Sequence, residues 1–440
     1  MRPFVIDQSI EARIHRAWAN LPADQQKRVQ PMLEAAHRAA VAHQQEQVPS
    51  VEPVNVGNHF GLLHSVITGD RDGVLASLQT KTQPAAAGVA PAGVKPQVDA
   101  EGVIWGVRQY ENLDPGWLEA GAVWLEHLPL PKHPFNLTIP ATNLQMDARV
   151  RIAIAGDWGT GFCQGRTVAA ERVRAAIENL NPDFTIHLGD VYYTGISPYE
   201  QNRFANIWPV GKKGSLALNS NHEMHPGGGP YFQMLRAAWG NPFSTQGGRS
   251  FFALENANWI VVGLDSAYYA DKEQLYSDGA LCGDGAQPVQ IQFLKQQVGK
   301  GKKLIVMTHH NPFNHQGDGS QPYTYQINRL GQQVVDAVCA GVEFFWYWGH
   351  VHAAAVYLTA ALGGVSGRCC GHGGIPWGKP NVRSVFDNQN YVAWWGNQSA
   401  NDPEMPERFL NGFAVIDLNG SAITERFFDE NGCQRYPATS

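Results

Sequence analysis

V-R-I-A-I-A-G-D (150–157) and F-T-I-H-L-G-D (184–190) are two short apolar runs, each closed by Gly-Asp. Between them, residues 165–180 place Val168, Val173, Ala176, Ile177 and Leu180 at helical spacing, and Asn181-Pro182 stops the helix. Strand, helix and strand of these lengths make a βαβ unit, with parallel strands and a right-handed crossover. Three later apolar runs end in the same way. The run 216–218 leads to Asn221-His222-Glu223, the run 304–307 to His309-His310, and the run 344–348 to Gly349-His350-Val351-His352. In an open α/β sheet, ligands gather beyond the carboxyl ends of the strands. The five ends deliver Asp, Asp, Asn, His and His, and strands sharing one edge bring them to one point.

Two Asp, one Asn and three or four His form a mixed nitrogen and oxygen donor set suited to first-row metals. That is more than one tetrahedral zinc takes. The set fits two ions about 3.5–4 Å apart with a carboxylate between them. Asp190, in the tight Gly-Asp turn of the second strand, is the natural bridge. His350 and His352, at i and i+2 of an extended segment, reach adjacent ions from one side. Such a pair binds phosphate oxygens, lowers the pKa of a bound water and stabilises in-line displacement at phosphorus.

These residues resemble the motif blocks of the calcineurin-like metallophosphoesterases, and among them the purple acid phosphatase branch. The blocks D-x-G, G-D-x-x-Y, G-N-H-D/E, V-x-x-H and G-H-x-H stand here in order. They are Asp157-Trp158-Gly159, Gly189-Asp190-Val191-Tyr192-Tyr193, Ser220-Asn221-His222-Glu223, Val306-Met307-Thr308-His309 and Gly349-His350-Val351-His352. Ser220 replaces the family's Gly. Most of the superfamily has a ligating His where this chain has Gly159, and the purple acid phosphatases offset that loss with a Tyr three residues after the bridging Asp, here Tyr193.

The resemblance implies an α/β fold, a four-layer α/β/β/α sandwich over 148–440. It implies a first metal held by Asp157, Asp190, Tyr193 and His352. A second would be held by Asp190, Asn221, His350 and one of His309 and His310. V-x-x-H spacing selects His309, the family's H-x-P pattern selects His310 through Pro312, and the reading leans to His310 with His309 behind it. His222 resembles the residue that contacts phosphate or assists the leaving group, and His315 stands where some members place an acid–base His. The implied cofactors are Fe(III) with Fe(II), Zn or Mn. The implied reaction is dinuclear-metal-dependent hydrolysis of phosphate esters by a metal-bound hydroxide, of the acid phosphatase (phosphomonoesterase) type. Two alternatives remain open: a phosphodiesterase acting on nucleotides or phospholipid head groups, and a metal-bound scaffold with weak or lost catalysis.

Residues 1–140 read as a mainly helical region whose partner the sequence does not specify. Ile10, Ile14, Trp18 and Leu21, then Val29, Met32, Leu33 and Ala36, recur at helical spacing, with Pro22 and Pro31 as breaks. Residues 82–97, with three Pro and one charge, read as a linker. Asp114 and Pro115 then open a helix with Trp117, Gly121, Trp124, Leu125 and Leu128 on one face. All matched motifs follow residue 156, so this region is expected to be dispensable for chemistry. The 33 basic residues fall short of the 39 acidic ones and form no run, which argues against a nucleic-acid surface. The six Cys form no C-x-x-C pair, the first residues lack an apolar signal core, and no run approaches the ~18 apolar residues of a membrane span. A cytoplasmic protein acting on phosphate esters, away from membranes, is the expectation.

Overall fold

The βαβ unit forms as its spacing predicts. Strand β4 (Arg149–Ala155) and strand β5 (Phe184–His187) run parallel, with helix α5 (Ala169–Leu180) between them. The computed structural model describes residues 8–44, 59–70, 97–98, 104–105, 116–158, 169–236, 242–273, 278–316, 324–339, 341–375, 377, 386, 388–402 and 408–438. The segment 82–96 and Gly159 lie outside these.

Before β4 come α1 (Gln8–Asn20), α2 (Ala23–Gln44), α3 (His59–Thr68) and α4 (Gly116–His127), with two short strands, β1 (Gln97–Val98) and β2 (Ile104–Trp105), paired between the last two helices, and β3 (Leu144–Gln145) after them. Pro22 falls between α1 and α2. Pro31 does not break the chain but lies inside α2, where burial of Val29, Leu33 and Ala36 outweighs the lost backbone bond. These side chains pack with Ile14, Leu62, Leu63, Leu118, Ala122 and Leu125 into a helical core. Gly121 of α4 lets Leu63 approach, since a β-carbon there would lie 3.1 Å from its methyls.

After β5 follow α6 (Ser197–Tyr199), β6 (Gly214–Ala217), α7 (Asn221–Met224), α8 (Gly229–Leu235), β7 (Phe252–Glu255), β8 (Trp259–Gly263), α9 (Val289–Val298) and β9 (Lys303–Thr308). The chain continues through β10 (Phe313–Gln316), β11 (Thr324–Ile327), α10 (Arg329–Val338), β12 (Phe344–Trp348), β13 (Ala354–Tyr357), β14 (Val365–Cys370), β15 (Val392–Trp395), β16 (Gly412–Asn419), β17 (Ala422–Asp429) and β18 (Gln434–Tyr436). One sheet has the order β18-β17-β16-β4-β5-β6, and a second the order β15-β13-β14-β12-β9-β8-β7-β3.

The central strands are apolar on both sides, as strands covered on both faces must be. Ile152, Ile154, Ile186 and Leu216 of the first sheet meet Val261, Ile305, Met307 and Tyr347 of the second in the middle of the sandwich. On the outer face of the first sheet, Ala153, Ala155 and Ala217 pack under α5 and α8. On the outer face of the second, Ile260, Leu304, Val306 and Trp346 pack under α9 and α10. The result is the four-layer α/β/β/α sandwich expected, with three parallel strands of one sheet and two of the other ending at the same edge. Among the described residues no helix is long and apolar enough to cross a membrane.

His187, the last residue of β5, is fully buried with both ring nitrogens unpartnered, against Phe204 (4.1 Å between centroids) and Trp208 (5.0 Å). Burial pushes its pKa down to about 3, against ~6.5 in an unfolded chain. Below ~6.5 the unfolded state takes up a proton that the folded state refuses. Stability tied to this residue is therefore complete above that pH, falls as pH falls, and stops changing below about 3. His187→Phe is expected to flatten the acid side of the unfolding free energy plotted against pH. Parallel profiles for variant and wild type would show that His187 contributes nothing to acid sensitivity.

Candidate metal centre

Four of the chemistry-bearing residues sit just past strand ends in backbone that few residues adopt. Asp157 (φ 57°), Asp190 (φ 77°), His350 (φ 67°) and His352 (φ 44°) are all left-handed, and such strain collects at functional sites. Gly189 (φ 100°) precedes Asp190, and a β-carbon there would lie 2.8 Å from His309 Nδ1. Ser220 needs no glycine-like backbone. It is extended (φ −134°) and caps α7, its hydroxyl accepting from the His222 N–H at 3.0 Å. Asn221 and His222 thus open a short helix whose first turn faces the site.

Two groups of donors converge, each with ligand atoms within 4.8 Å of one another: Asp157, Asp190 and His352, and His309, His310 and His350. Asp190 lies between them. Its Oδ1 is 3.3 Å from His309 Nε2, and its Oδ2 is 3.7 Å from His352 Nε2 and 3.9 Å from His222 Nε2. Asp157 Oδ1 is 3.4 Å from His352 Nε2, and both its oxygens accept from the His350 N–H at 3.1 Å.

The donor chemistry fits cations. His309 Nδ1 contacts the Leu188 carbonyl at 2.9 Å, so that nitrogen carries the proton and Nε2 presents a lone pair. That lone pair faces two further acceptors, Asn221 Oδ1 at 3.0 Å and Asp190 Oδ1 at 3.3 Å. Acceptors this close with no proton between them call for a positive charge. Asp190 Oδ1, His222 Nε2, His310 Nε2 and His352 Nδ1 are also buried without a hydrogen-bond partner. Burial pushes His309 down to about 4 and His310 and His350 well below the usual imidazole range, so all three are neutral at pH 7, the ligating form. Burial and the neighbouring Asp190 charge hold Asp157 well above the usual carboxylate range. Asp190, which burial alone would raise, is held below that range by the facing imidazoles.

Three features of the geometry bear on the choice of site residues. It is His309, the V-x-x-H residue, whose Nε2 meets Asp190, Asn221 and His350, the last at 3.1 Å. His310 turns Nδ1 to Ser266 Oγ (2.9 Å) and stands beside the His350 ring. Both imidazoles belong to the donor group with His350, and His309 is the one that meets Asp190 and Asn221. Second, Tyr192 points its hydroxyl into the cluster. The Tyr192 hydroxyl is in close contact with His352 Nε2 and 3.4 Å from Asp190 Oδ2. The Tyr193 ring packs on Trp117, and its carbonyl meets His222 Nδ1 at 2.7 Å. Strand alternation does not govern these side chains, because residues 191–193 belong to no strand and the chain bends at 192 and 193. Third, Trp117 of the helical region touches the site, which no motif signals. Asp157, Asp190, Asn221, His350 and His352 converge as expected, and His222 points Nε2 inward. His315 lies on β10 opposite Tyr325, and its side chain is outside the described residues. His372 is buried next to Trp377.

Residues 150–354 match the family model of the calcineurin-like phosphoesterases. No curated protein matches the chain. Among solved structures, a purple acid phosphatase, PPD1, from yellow lupin (Lupinus luteus) seeds aligns at 13% identity and a TM-score of 0.43, covering 69% of this chain and 54% of that one. A predicted phosphoesterase from Streptococcus pneumoniae TIGR4 aligns at 9% identity and a TM-score of 0.26, covering 66% of this chain and 96% of that one. This chain therefore spans about half the length of the lupin enzyme.

Proposed function

We propose, from the premise that residues 150–354 are a calcineurin-like phosphoesterase domain, that this protein hydrolyses phosphate esters at a dinuclear metal centre, in the manner of an acid phosphatase. The observation that carries the reading is the position of Asp190 between the two donor groups. Asp157, Asp190, Tyr192 and His352 would hold one ion. Asp190, Asn221, His309 and His350 would hold the other, with His310 beside them. A phenolate among the first set favours Fe(III) there, since a hard trivalent ion deprotonates a phenol most readily. When bound, the ions would acidify a water and neutralise phosphoryl oxygens.

The chain's own residues supply the rest. His222 is fixed at one edge by the Nδ1 contact with the Tyr193 carbonyl, and its Nε2 points toward Asp190 without a hydrogen-bond partner. In its protonated form Nε2 donates to a phosphoryl oxygen or to the leaving oxygen. Burial lowers its pKa, so that form is favoured in acid, in keeping with an acid phosphatase. Retention of a whole donor set argues against a scaffold with lost catalysis.

Elemental analysis should find about two transition-metal ions per chain, given ~4–6 positions per ion. Aryl phosphate monoesters should be turned over faster than aryl diesters. Metal-free protein hydrolysing either at the full rate would remove the proposal, and a preference for diesters would select the phosphodiesterase alternative.

A further inference from the structure

Helix α4 has two apolar faces, and only one belongs to the helical bundle. Leu118, Ala122 and Leu125 enter the bundle core. Trp117 and Ala120, three residues apart, instead pack with Tyr192, Tyr193 and Ile375 of the catalytic domain. The Trp117 indole is 3% exposed. It stands edge-on to Tyr192 (5.3 Å between centroids), Tyr193 (5.0 Å) and His222 (5.9 Å). The helix is fastened on both sides of this contact. Glu119 accepts from the Tyr199 hydroxyl, and Trp124 Nε1 donates to the Lys272 carbonyl at 3.0 Å. Arg203 lies over the Tyr199 ring at 3.6 Å and donates to the Tyr192 carbonyl at 2.9 Å.

We propose that Trp117 is a positioning residue for His222 and Tyr192, supplied to the metal centre by a helix that precedes the phosphoesterase domain. The proposal rests on the reading of His222 as the group that meets the phosphoryl or leaving oxygen. His222 is anchored at one point, its Nδ1 contact with the Tyr193 carbonyl, about which the ring could turn. The Tyr192 ring at 4.3 Å and the Trp117 edge at 5.9 Å block that rotation from two sides. Trp117 also backs the Tyr192 ring, whose hydroxyl reaches His352 and Asp190. Removing the indole opens space beside three rings at once. A displacement of about 1 Å at a reacting group can cost on the order of 10²-fold in rate. The helical region then does more than accompany the catalytic domain: it completes the wall that sets the angle of the proton-donating imidazole.

The test uses the full chain, metal-loaded, with aryl phosphates of graded leaving-group pKa. Trp117→Ala is expected to lower kcat roughly 10- to 100-fold with KM changed far less. It should also steepen the dependence of kcat on leaving-group pKa, because misplaced His222 protonates poor leaving groups least well. Trp117→Phe, which keeps an aromatic edge, should recover most of both. In a His222→Asn background, Trp117→Ala should add little. If Trp117→Ala does not fold, Trp117→Leu fills the gap without the aromatic edge and carries the same expectation. A variant with wild-type kcat and slope overturns the proposal. So does a uniform loss across leaving groups that tracks the folded fraction. Wild-type protein inactive on every ester removes the phosphoesterase reading itself, an outcome visible before any variant is made.

Discussion

Asp190→Asn is expected to lower turnover of aryl phosphates on the order of 10³-fold or more, about 4 kcal/mol in the barrier. No other single change in the donor set, Asp157 apart, should cost as much. The carboxylate is fully buried, faces His309 with one oxygen and His352 and His222 with the other, and stands between both donor groups. The amide is nearly the same size but neutral, and one of its two ends donates rather than accepts. Two cations held a few ångströms apart repel, and a shared negative charge is what offsets that repulsion. The backbone should tolerate the change, since Asn shares with Asp a tolerance for the left-handed conformation found there. Circular dichroism should therefore match wild type while elemental analysis falls below two ions per chain. Near-wild-type turnover by a folded variant would show that Asp190 is not the bridge.

What the sequence made legible, and what it did not, divides along physical lines. The five strand ends could be read because the signals are local: an apolar run of strand length, a turn residue, then a polar side chain. Whereas the sandwich was implied by the family resemblance, that logic named Asp157, Asp190, Asn221, His350 and His352, which the structure brings together. It did not show that the ends belong to two sheets rather than one, since β4, β5 and β6 pair separately from β9 and β12. Strand pairing is a long-range property that no single run encodes. Ser220 replaced an expected Gly without harm because the turn there became a helix cap. Which imidazole at the end of β9 turns toward Asp190 and Asn221 is likewise not written in the local sequence. The Leu188 carbonyl and Ser266, both distant in sequence, decide that. The helical region looked separable because all matched motifs follow residue 156. Its attachment runs through Trp117, Glu119 and Trp124, whose partners lie 75 or more residues away. We accordingly propose the division near residue 140 as a boundary of topology, with the site drawing on both sides of it.

Tyr192→Phe is expected to have the second large effect, on colour. Iron-loaded wild type should show a visible absorption band from charge transfer between a phenolate and Fe(III), and Tyr192→Phe should abolish it. Tyr193→Phe should leave it in place. Motif spacing alone makes the opposite forecast, because Tyr193 holds the third position after Asp190. We propose Tyr192 instead on three observations. The Tyr192 hydroxyl touches His352 and approaches Asp190, two members of one donor group. Tyr193 contributes its ring to the Trp117 cluster and its carbonyl to His222. Residues 191–193 belong to no strand, so the side that each side chain takes is not set by strand alternation. A phenol with a reference pKa of ~10 ionises near neutrality only beside a strong Lewis acid, so a band that vanishes on deleting one hydroxyl identifies both the ligand and the valence of its metal. Tyr193→Phe serves as the control for packing, since it removes a hydroxyl from the same buried turn. Colourless iron-loaded wild type would end the assignment of an Fe(III)–phenolate site while leaving the dinuclear phosphoesterase reading intact. Loss of the band in Tyr193→Phe alone would restore the order that spacing suggests, and would mean that the turn after Asp190 rearranges when metal binds.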